Sequence, residues 1–393
     1  MTPSVSASSQ PLRILMAAPV PRRREGGGAI IAYSLGEELE RRGHSVSYVF
    51  NEDLFGQDKV PARFGALAFS RRLDRYISQN RHEFSIVNLH APSGFFYGLR
   101  RRWFSARDLP PYVMTLHGLE ERRVHVQTRE AKKGRAWNFN SRNRFWHRFY
   151  TFSLYHGAIR TADGAHTYAR DVWNVLQLKY DLDSDRVAYI PNGVEPRFFL
   201  PRIYNSPSPL KLLYAGTWLD QRGIFYLRDA LEKLASQLPG MTMTFAGCGC
   251  PPGIIKNFFG PKLASTILVY PTVPSDQMHE LFSAHDIFLF PSLMEGLPSV
   301  VLQAMASGMP VITTETCGMP DVVEDGLNGL LIPPADASAI ENAVLRLAAS
   351  AELRQSLGQT AQHTMTRYTW ERSAIMLETF FRHIISLESQ PPA

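Results

Sequence analysis

Short apolar runs rich in β-branched and aromatic residues recur along this chain with amphipathic stretches between them, the rhythm of parallel strands covered by helices on both faces. The pattern occurs twice. In the first half, residues 12–18, 45–50, 85–89, 112–116 and 186–190 predict strands. In the second half, residues 211–215, 241–246, 266–270, 287–290, 309–313 and 329–332 do the same. Residues 30–42 carry Ile31, Leu35 and Leu39 at helical spacing, and Gly43 stops the helix with Arg41 and Arg42 in its last turn. Further helices are predicted over 223–236, 275–284, 298–307 and 337–349. The prolines from Pro191 to Pro209, with the turn signal Asn192-Gly193, break both periods.

Two α/β units follow, because 393 residues exceed what one core usually serves. The expected division is a disordered polar tail over 1–10, one Rossmann-like domain over 11–195, a linker over 196–209 and a second Rossmann-like domain over 210–368. A last helix over 369–388 could cross back to the first domain. Two doubly wound sheets facing each other across a hinge make the cleft between them the default ligand site.

No apolar run approaches the roughly 18–20 residues that cross a bilayer, so an integral membrane protein is not expected. Three cysteines are too few for a disulfide framework, and the start shows no basic segment with an apolar core and cleavage site; a cytoplasmic location is expected. Charge is uneven. Up to Leu200 there are 30 basic and 19 acidic residues, and after it 12 and 17. Residues 129–150 interleave Lys132, Lys133, Arg135, Arg142, Arg144 and Arg148 with Trp137, Phe139, Phe145, Trp146, Phe149 and Tyr150. Such a mixture suits an anionic membrane surface, and equally an insertion that packs its rings onto the domain. No nucleic-acid motif accompanies it, and no nucleic-acid partner is expected.

The most informative string runs from Asp286 through Pro291-Ser292, Glu295-Gly296-Leu297-Pro298-Ser299 and Gln303 to Ile312. It describes a buried strand, a loop with one acidic residue, a helix opening at Pro298, and another buried strand. Proline fits the first helical position, where its missing N–H is no loss. The free amides of that helix start suit an anion, while Glu295 just before them suits sugar hydroxyls. Read alone, Glu295 is equally an acid complementing the helix dipole.

This string resembles the donor-site signature of glycosyltransferase family 4. The resemblance extends over nearly the whole chain, through Gly26-Gly27-Gly28, Arg42-Gly43-His44, Thr115-Leu116-His117-Gly118 and Pro191-Asn192-Gly193-Val194. It continues through Leu213-Tyr214-Ala215-Gly216, Arg222-Gly223, Phe245-Ala246-Gly247-Cys248-Gly249 and Asp325-Gly326. It implies an α/β protein of the GT-B fold, with two facing doubly wound Rossmann-like domains, that moves a sugar from a nucleotide sugar (UDP-, GDP- or ADP-linked) to a sugar or lipid-linked acceptor with retention of configuration. The first domain would take the acceptor and the second the donor. Catalytic roles are implied for Glu295, His117 and Arg222. Donor contacts are implied for Gly216, Thr217, Gly247, Val273, Gly296, Leu297, Pro298, Ser299 and Gln303, and a phosphate or acceptor loop for Arg24, Gly26, Gly27 and Gly28. No metal or other cofactor is implied. The Asp181, Asp183, Asp185 spacing reads as a solvated turn.

The sequence departs from the family pattern at several positions, among them Arg222 for the usual lysine and Asp321, three positions after Gly318, for the usual glutamate. Gln303 stands where the family has the second of two glutamates with seven residues between them, and Thr217 stands where a basic residue is common. Arg222 keeps one cation for a diphosphate. These departures leave open a catalytically silent member that binds a nucleotide or a partner enzyme, and a nucleotide-sugar epimerase is a third reading.

Overall fold

The structure is a computed structural model that describes residues 10–389 apart from 24–26, 57, 62–63, 104–107, 138, 140–145 and 205–208. Among the described residues, the strands form two six-stranded, wholly parallel sheets. The first comprises β1 (Arg13–Ala17), β2 (Ser45–Val49), β3 (Ile86–His90), β4 (Tyr112–Leu116), β5 (Gly164–Thr167) and β6 (Val187–Tyr189), in the order β2-β1-β3-β4-β5-β6. The second comprises β7 (Lys211–Ala215), β8 (Thr242–Ala246), β9 (Ile267–Tyr270), β10 (Ile287–Phe290), β11 (Val311–Thr314) and β12 (Leu330–Ile332), ordered β12-β11-β10-β7-β8-β9. This is the GT-B architecture. Each sheet reverses its winding once, between β1 and β3 in the first and between β7 and β10 in the second.

The middle strands are fully buried, as crossover helices on both faces require, and β10 reads as a continuous apolar run. The helix Gly27–Arg41 buries Ile31, Leu35 and Leu39 on one face and ends before Gly43, whose φ of 90° is the left-handed stop a glycine supplies. Strand β5 lies outside the sequence expectation. Its residues Gly-Ala-His-Thr have little strand propensity, and pairing with β4 and β6 on both sides holds them extended.

The chain crosses between the sheets twice. After β6 it passes through Asn192, whose side-chain amide donates to the Leu297 carbonyl at 3.0 Å. Phe198 is then buried against Phe282 of the second unit, and Arg202 donates to the carbonyl oxygens of Phe282 and His285. The return crossing leads into the helix Trp370–Glu388, which lies on the first sheet's side. There Glu378 pairs with Arg42, Glu388 pairs with Arg101 and Arg186, and Ile384 sits against Gly164. No helix among the described residues is long and apolar enough to cross a membrane.

Candidate active site

In parallel sheets, loops leaving the carboxyl ends of strands at a winding reversal splay apart and open a crevice. Both reversals here feed one interdomain cleft. Strand β7 runs into Gly216-Thr217, β10 into Pro291-Ser292, β3 ends at His90, and β4 delivers His117.

Arg222 and Glu295 form an ion pair at the floor of this cleft, with side chains 17% and 15% exposed. Arg222 sits in the short turn Asp220–Arg222, and Gly223 follows with φ of 74°; a Cβ there would overlap the Pro291 carbonyl oxygen. Only glycine lets this turn lie against the β10 exit, which brings the guanidinium to the carboxylate. Burial pushes the Glu295 carboxyl above its usual range, while Arg222 and the Ser292 hydroxyl hold it down. The Arg222 guanidinium also lies over Phe290, 5.2 Å from its ring centre, and its Nε–H is buried without a partner.

Across the cleft, His117 Nε2 and His90 Nδ1 share a hydrogen bond of 2.9 Å, and Tyr168 lies beside His117 at 5.2 Å between ring centres. Burial depresses His117 to about 4 and drives His90 well below its usual value, with His117 adding to the effect on His90. Both rings are neutral at physiological pH, so they can orient a hydroxyl but carry no charge to a phosphate. Behind them, Thr115 Oγ1 bonds His166 Nε2 at 2.7 Å and donates to Asn88 at 3.1 Å, tying neighbouring strands together.

The two sides meet backbone to backbone. A Cβ at Gly296 would overlap the His117 carbonyl oxygen, and the Gly318 N–H donates to the Gly296 carbonyl at 2.9 Å. Glu295 N–H donates to the Cys317 sulfur at 3.4 Å, with Cys317 itself at φ of 54°. The cavity left between the two sides is about 290 Å³, walled by His117, Gly118, Glu120, Arg123 and Tyr155 on one side and Gln221, Arg222, Met294, Glu295 and Gly296 on the other. A larger cleft of about 1140 Å³ opens at the hinge. Among the described residues its rim holds Glu37, Glu38, Glu195, Asp276 and Glu371 against Arg41 and Arg197, which pair with Glu38 and Glu195. That is the wrong sign for a diphosphate, so the smaller cavity is the candidate site.

Of the expected site residues, His117, Arg222, Glu295 and Gly296 line this cavity and the other described ones do not, and two expectations need correction. Pro298 is the extended residue before the helix, not its first residue, and the helix Ser299–Ala306 starts one position later. Gly27 and Gly28 form the first turn of the helix Gly27–Arg41 rather than an open loop, while Arg24 and Gly26 lie outside the described residues. Gly28 nonetheless approaches the histidine pair: a Cβ there would stand 3.5 Å from His117 Nε2. Gly216 and Gly247 take φ of 140° and 66° at the ends of β7 and β8, and the Thr217 carbonyl accepts from Tyr214. Leu297 is buried, and Val273 and Gln303 are half-buried. Arg22 is engaged by Asp53 and Glu52. His90, Glu120, Arg123, Tyr155 and Asp220 lay outside the sequence expectation; Glu120, two residues after Gly118, carried the nearest readable signal.

Part of the basic aromatic stretch spans the cleft. Glu130, nearly buried, accepts from Tyr226 at 2.7 Å and Lys133 at 3.0 Å; Arg135 pairs with Asp229 at 2.7 Å. The Trp137 N–H donates to Asp220 at 2.8 Å, and its ring lies among Trp218, Phe225 and Phe258. These groups fasten the first domain to the helix Ile224–Gln237 and are committed there rather than to a surface. Arg142, Arg144 and Phe145 lie outside the described residues.

Comparison with known proteins gives one direction. The family model for Glycosyltransferase Family 4 matches residues 25–198, and that for Glycosyl transferases group 1 matches residues 209–350. The D-inositol 3-phosphate glycosyltransferase of Corynebacterium urealyticum is 26% identical over 235 residues, 54% of this chain and 55% of that protein. The putative colanic acid biosynthesis glycosyltransferase WcaL of Escherichia coli is 27% identical over 191 residues, 47% of this chain and 46% of that protein. The chain thus spans about half the length of the curated relatives it matches. Among solved structures, sucrose-phosphate synthase from Thermosynechococcus elongatus superposes with a TM-score of 0.77 at 18% identity, covering 95% of this chain and 99% of that one. Anabaena HepE in complex with UDP-glucose gives 0.67 at 18% identity, covering 94% and 99%.

Proposed function

Because this chain belongs to glycosyltransferase family 4, we propose that it transfers a sugar from a nucleotide sugar to an acceptor hydroxyl in the interdomain cleft. The observation that supports this reading best is the Arg222–Glu295 pair facing His117 across the cavity. In the reaction the bond between the anomeric carbon and the diphosphate oxygen breaks, and the acceptor oxygen bonds to that carbon, with retention expected from the family. Negative charge grows on the leaving diphosphate. In this reading Arg222 and the amides opening the helix Ser299–Ala306 would stabilise that charge, Glu295 would take sugar hydroxyls, and neutral His117 would orient the donor. Closure around the contact of Gly296 with His117 excludes water.

A UDP-sugar is the preferred donor reading, since the HepE neighbour was solved with UDP-glucose. Gln303 accepts ribose hydroxyls without the strength of a carboxylate. The test is nucleotide release from UDP-glucose, UDP-N-acetylglucosamine, GDP-mannose and ADP-glucose, with glycan and lipid-linked acceptors. Absence of both release and nucleotide binding would sink the reading, and binding without release would favour the silent member. Contact with an anionic membrane has narrower support, from Phe64 and Phe149, which are 46% and 59% exposed beside Trp146 and Tyr150. Salt-sensitive binding to phosphatidylglycerol vesicles, lost when Arg142, Arg144 and Arg148 become serine, tests it.

A further inference from the structure

His117 reaches the cavity just beyond the end of β4, and the group that holds its ring stands on the neighbouring strand. His90 closes β3, is 3% exposed and lies in register with Thr115 of β4, where the Ala91 N–H donates to the Thr115 carbonyl at 3.0 Å. This pairing sets the His90 ring 4.8 Å from that of His117 and its Nδ1 2.9 Å from His117 Nε2. The helix Gly27–Arg41 brings its first turn against the same bond: a Cβ at Gly28 would stand 3.5 Å from His117 Nε2 and 3.6 Å from His90 Nδ1. A helix start disfavours positive charge beside it, as burial does, so both rings stay neutral.

Two neutral rings that share a hydrogen bond have one proton on it. If His90 donates, both rings carry their proton on Nδ1; if His117 donates, both carry it on Nε2. The neutral histidine side chain favours Nε2–H, so the second arrangement suits both rings at once. The histidine behind them takes the same form. The Asn88 amide donates to the Val113 carbonyl at 3.4 Å, which leaves its oxygen to accept the Thr115 hydroxyl proton at 3.1 Å. Thr115 Oγ1 then accepts from His166 Nε2–H at 2.7 Å. With Nε2 of His117 engaged, Nδ1 is its ring nitrogen left for a ligand, and it is an acceptor. It can receive a hydrogen bond from a sugar hydroxyl and can give none to a phosphate oxygen. We propose that His90 is a positioning residue that locks His117 in its Nε2–H form, so that Nδ1 accepts a hydrogen bond from a hydroxyl of the donor sugar. The hydroxyl rests on the transferase reading; the place of the proton does not.

The experiment uses the full chain with isotope-labelled histidine, read by long-range nitrogen–proton NMR near neutral pH, with His117→Gln to assign the ring. Wild-type His117 should show a pyrrole-type Nε2 and a pyridine-type Nδ1. His90→Asn keeps an acceptor oxygen near the place of Nδ1 and should preserve that pattern. His90→Leu keeps bulk without the acceptor, and His117 should become a mixture of both forms. Affinities for UDP-glucose, UDP-N-acetylglucosamine, GDP-mannose and ADP-glucose are then compared with those for the free nucleotides. For the best donor, the ratio of sugar-nucleotide to nucleotide affinity should fall about three- to tenfold in His90→Leu, the worth of one hydrogen bond, and recover in His90→Asn. A wild-type His117 that is charged or protonated on Nδ1 overturns the proposal, and this reading needs no variant of His90 to fold. So does a folded His90→Leu that keeps the wild-type pattern or the wild-type ratio, or a folded His90→Asn that loses as much as His90→Leu. If no nucleotide binds the wild type, the transferase reading fails and takes the hydroxyl with it, while the ring spectra still judge the lock.

Discussion

Glu295→Gln separates the two roles that one ion pair hides. Arg222 is bound to Glu295, so an incoming diphosphate must displace a carboxylate to reach it. Breaking a fully buried pair costs about 3–5 kcal/mol. This pair lines a cavity that water reaches, and a discount to about 1–2 kcal/mol is appropriate. The amide variant should therefore lose about that much stability while binding UDP more tightly by a similar amount, about 5- to 30-fold. UDP-glucose should not share the gain, because the hydroxyl contacts to a charged group that it loses are worth about 1.5–3 kcal/mol each. Turnover should fall by about a hundredfold or more. Isothermal titration with UDP and UDP-glucose, beside thermal unfolding, reads each term separately. A folded variant whose UDP affinity is unchanged or weaker would refute the reasoning, since Arg222 would then not be what receives the diphosphate.

The contact of Gly296 with the His117 carbonyl predicts that Gly296→Ala cannot close: small-angle scattering should show a larger radius of gyration, and unchanged scattering with normal turnover would count against closure at this point. Asp321 accepts the Arg170 N–H across the interface at 2.7 Å, and burial raises its carboxyl from 3.8 to about 6. Because the folded value lies above the unfolded one, its stabilising contribution is complete below about pH 4 and is lost as pH rises through 6. Asp321→Asn should therefore be more stable than the parent above pH 6 and indistinguishable near pH 4 in thermal unfolding; a gap of equal size at both pH values would show that Asp321 is not the titrating group. Trp137→Ala should cost about 1–3 kcal/mol, below the value for a fully buried ring because Trp137 is 37% exposed. Alanine keeps the main-chain N–H that donates to Asp220, but losing the ring packed on Trp218, Phe225 and Phe258 should loosen the Asp220–Arg222 turn and weaken UDP binding, and an unaltered UDP affinity would make the strap purely structural.

Much of the fold was legible because buried parallel strands announce themselves in a single run of sequence. Residues 112–116, 211–215 and 287–290 were delimited to the residue, since each strand is flanked by turn signals and is mostly apolar. Strand β5 was not legible, because what keeps Gly164–Thr167 extended comes from its neighbours in the sheet rather than from its own residues. The same division holds at the cleft. Arg222, Glu295 and His117 stand out individually, but their mutual placement depends on Gly223 and Gly296 lying against carbonyl oxygens far away in sequence. The stretch around Arg135 and Trp137 shows charge and rings without showing partners. Asp229 lies 94 residues beyond Arg135 and Asp220 lies 83 beyond Trp137, so nothing local distinguishes an interdomain strap from a lipid-facing surface.

The helix Trp370–Glu388 has a consequence for how the molecule is made. Its Glu388 reaches Arg101 across 287 positions, and its Ile384 fills the space beside Gly164. During synthesis the first sheet thus emerges long before the helix that covers it, and at about 5–20 residues per second the gap lasts on the order of ten seconds or more. Through that interval Arg101 and Arg186 lack their Glu388 partner, and the apolar ground beneath Phe380 and Ile384 is open to chaperones or to another nascent chain. The second unit can meanwhile complete its own sheet, so the amino-terminal half, although translated first, is the half that finishes last.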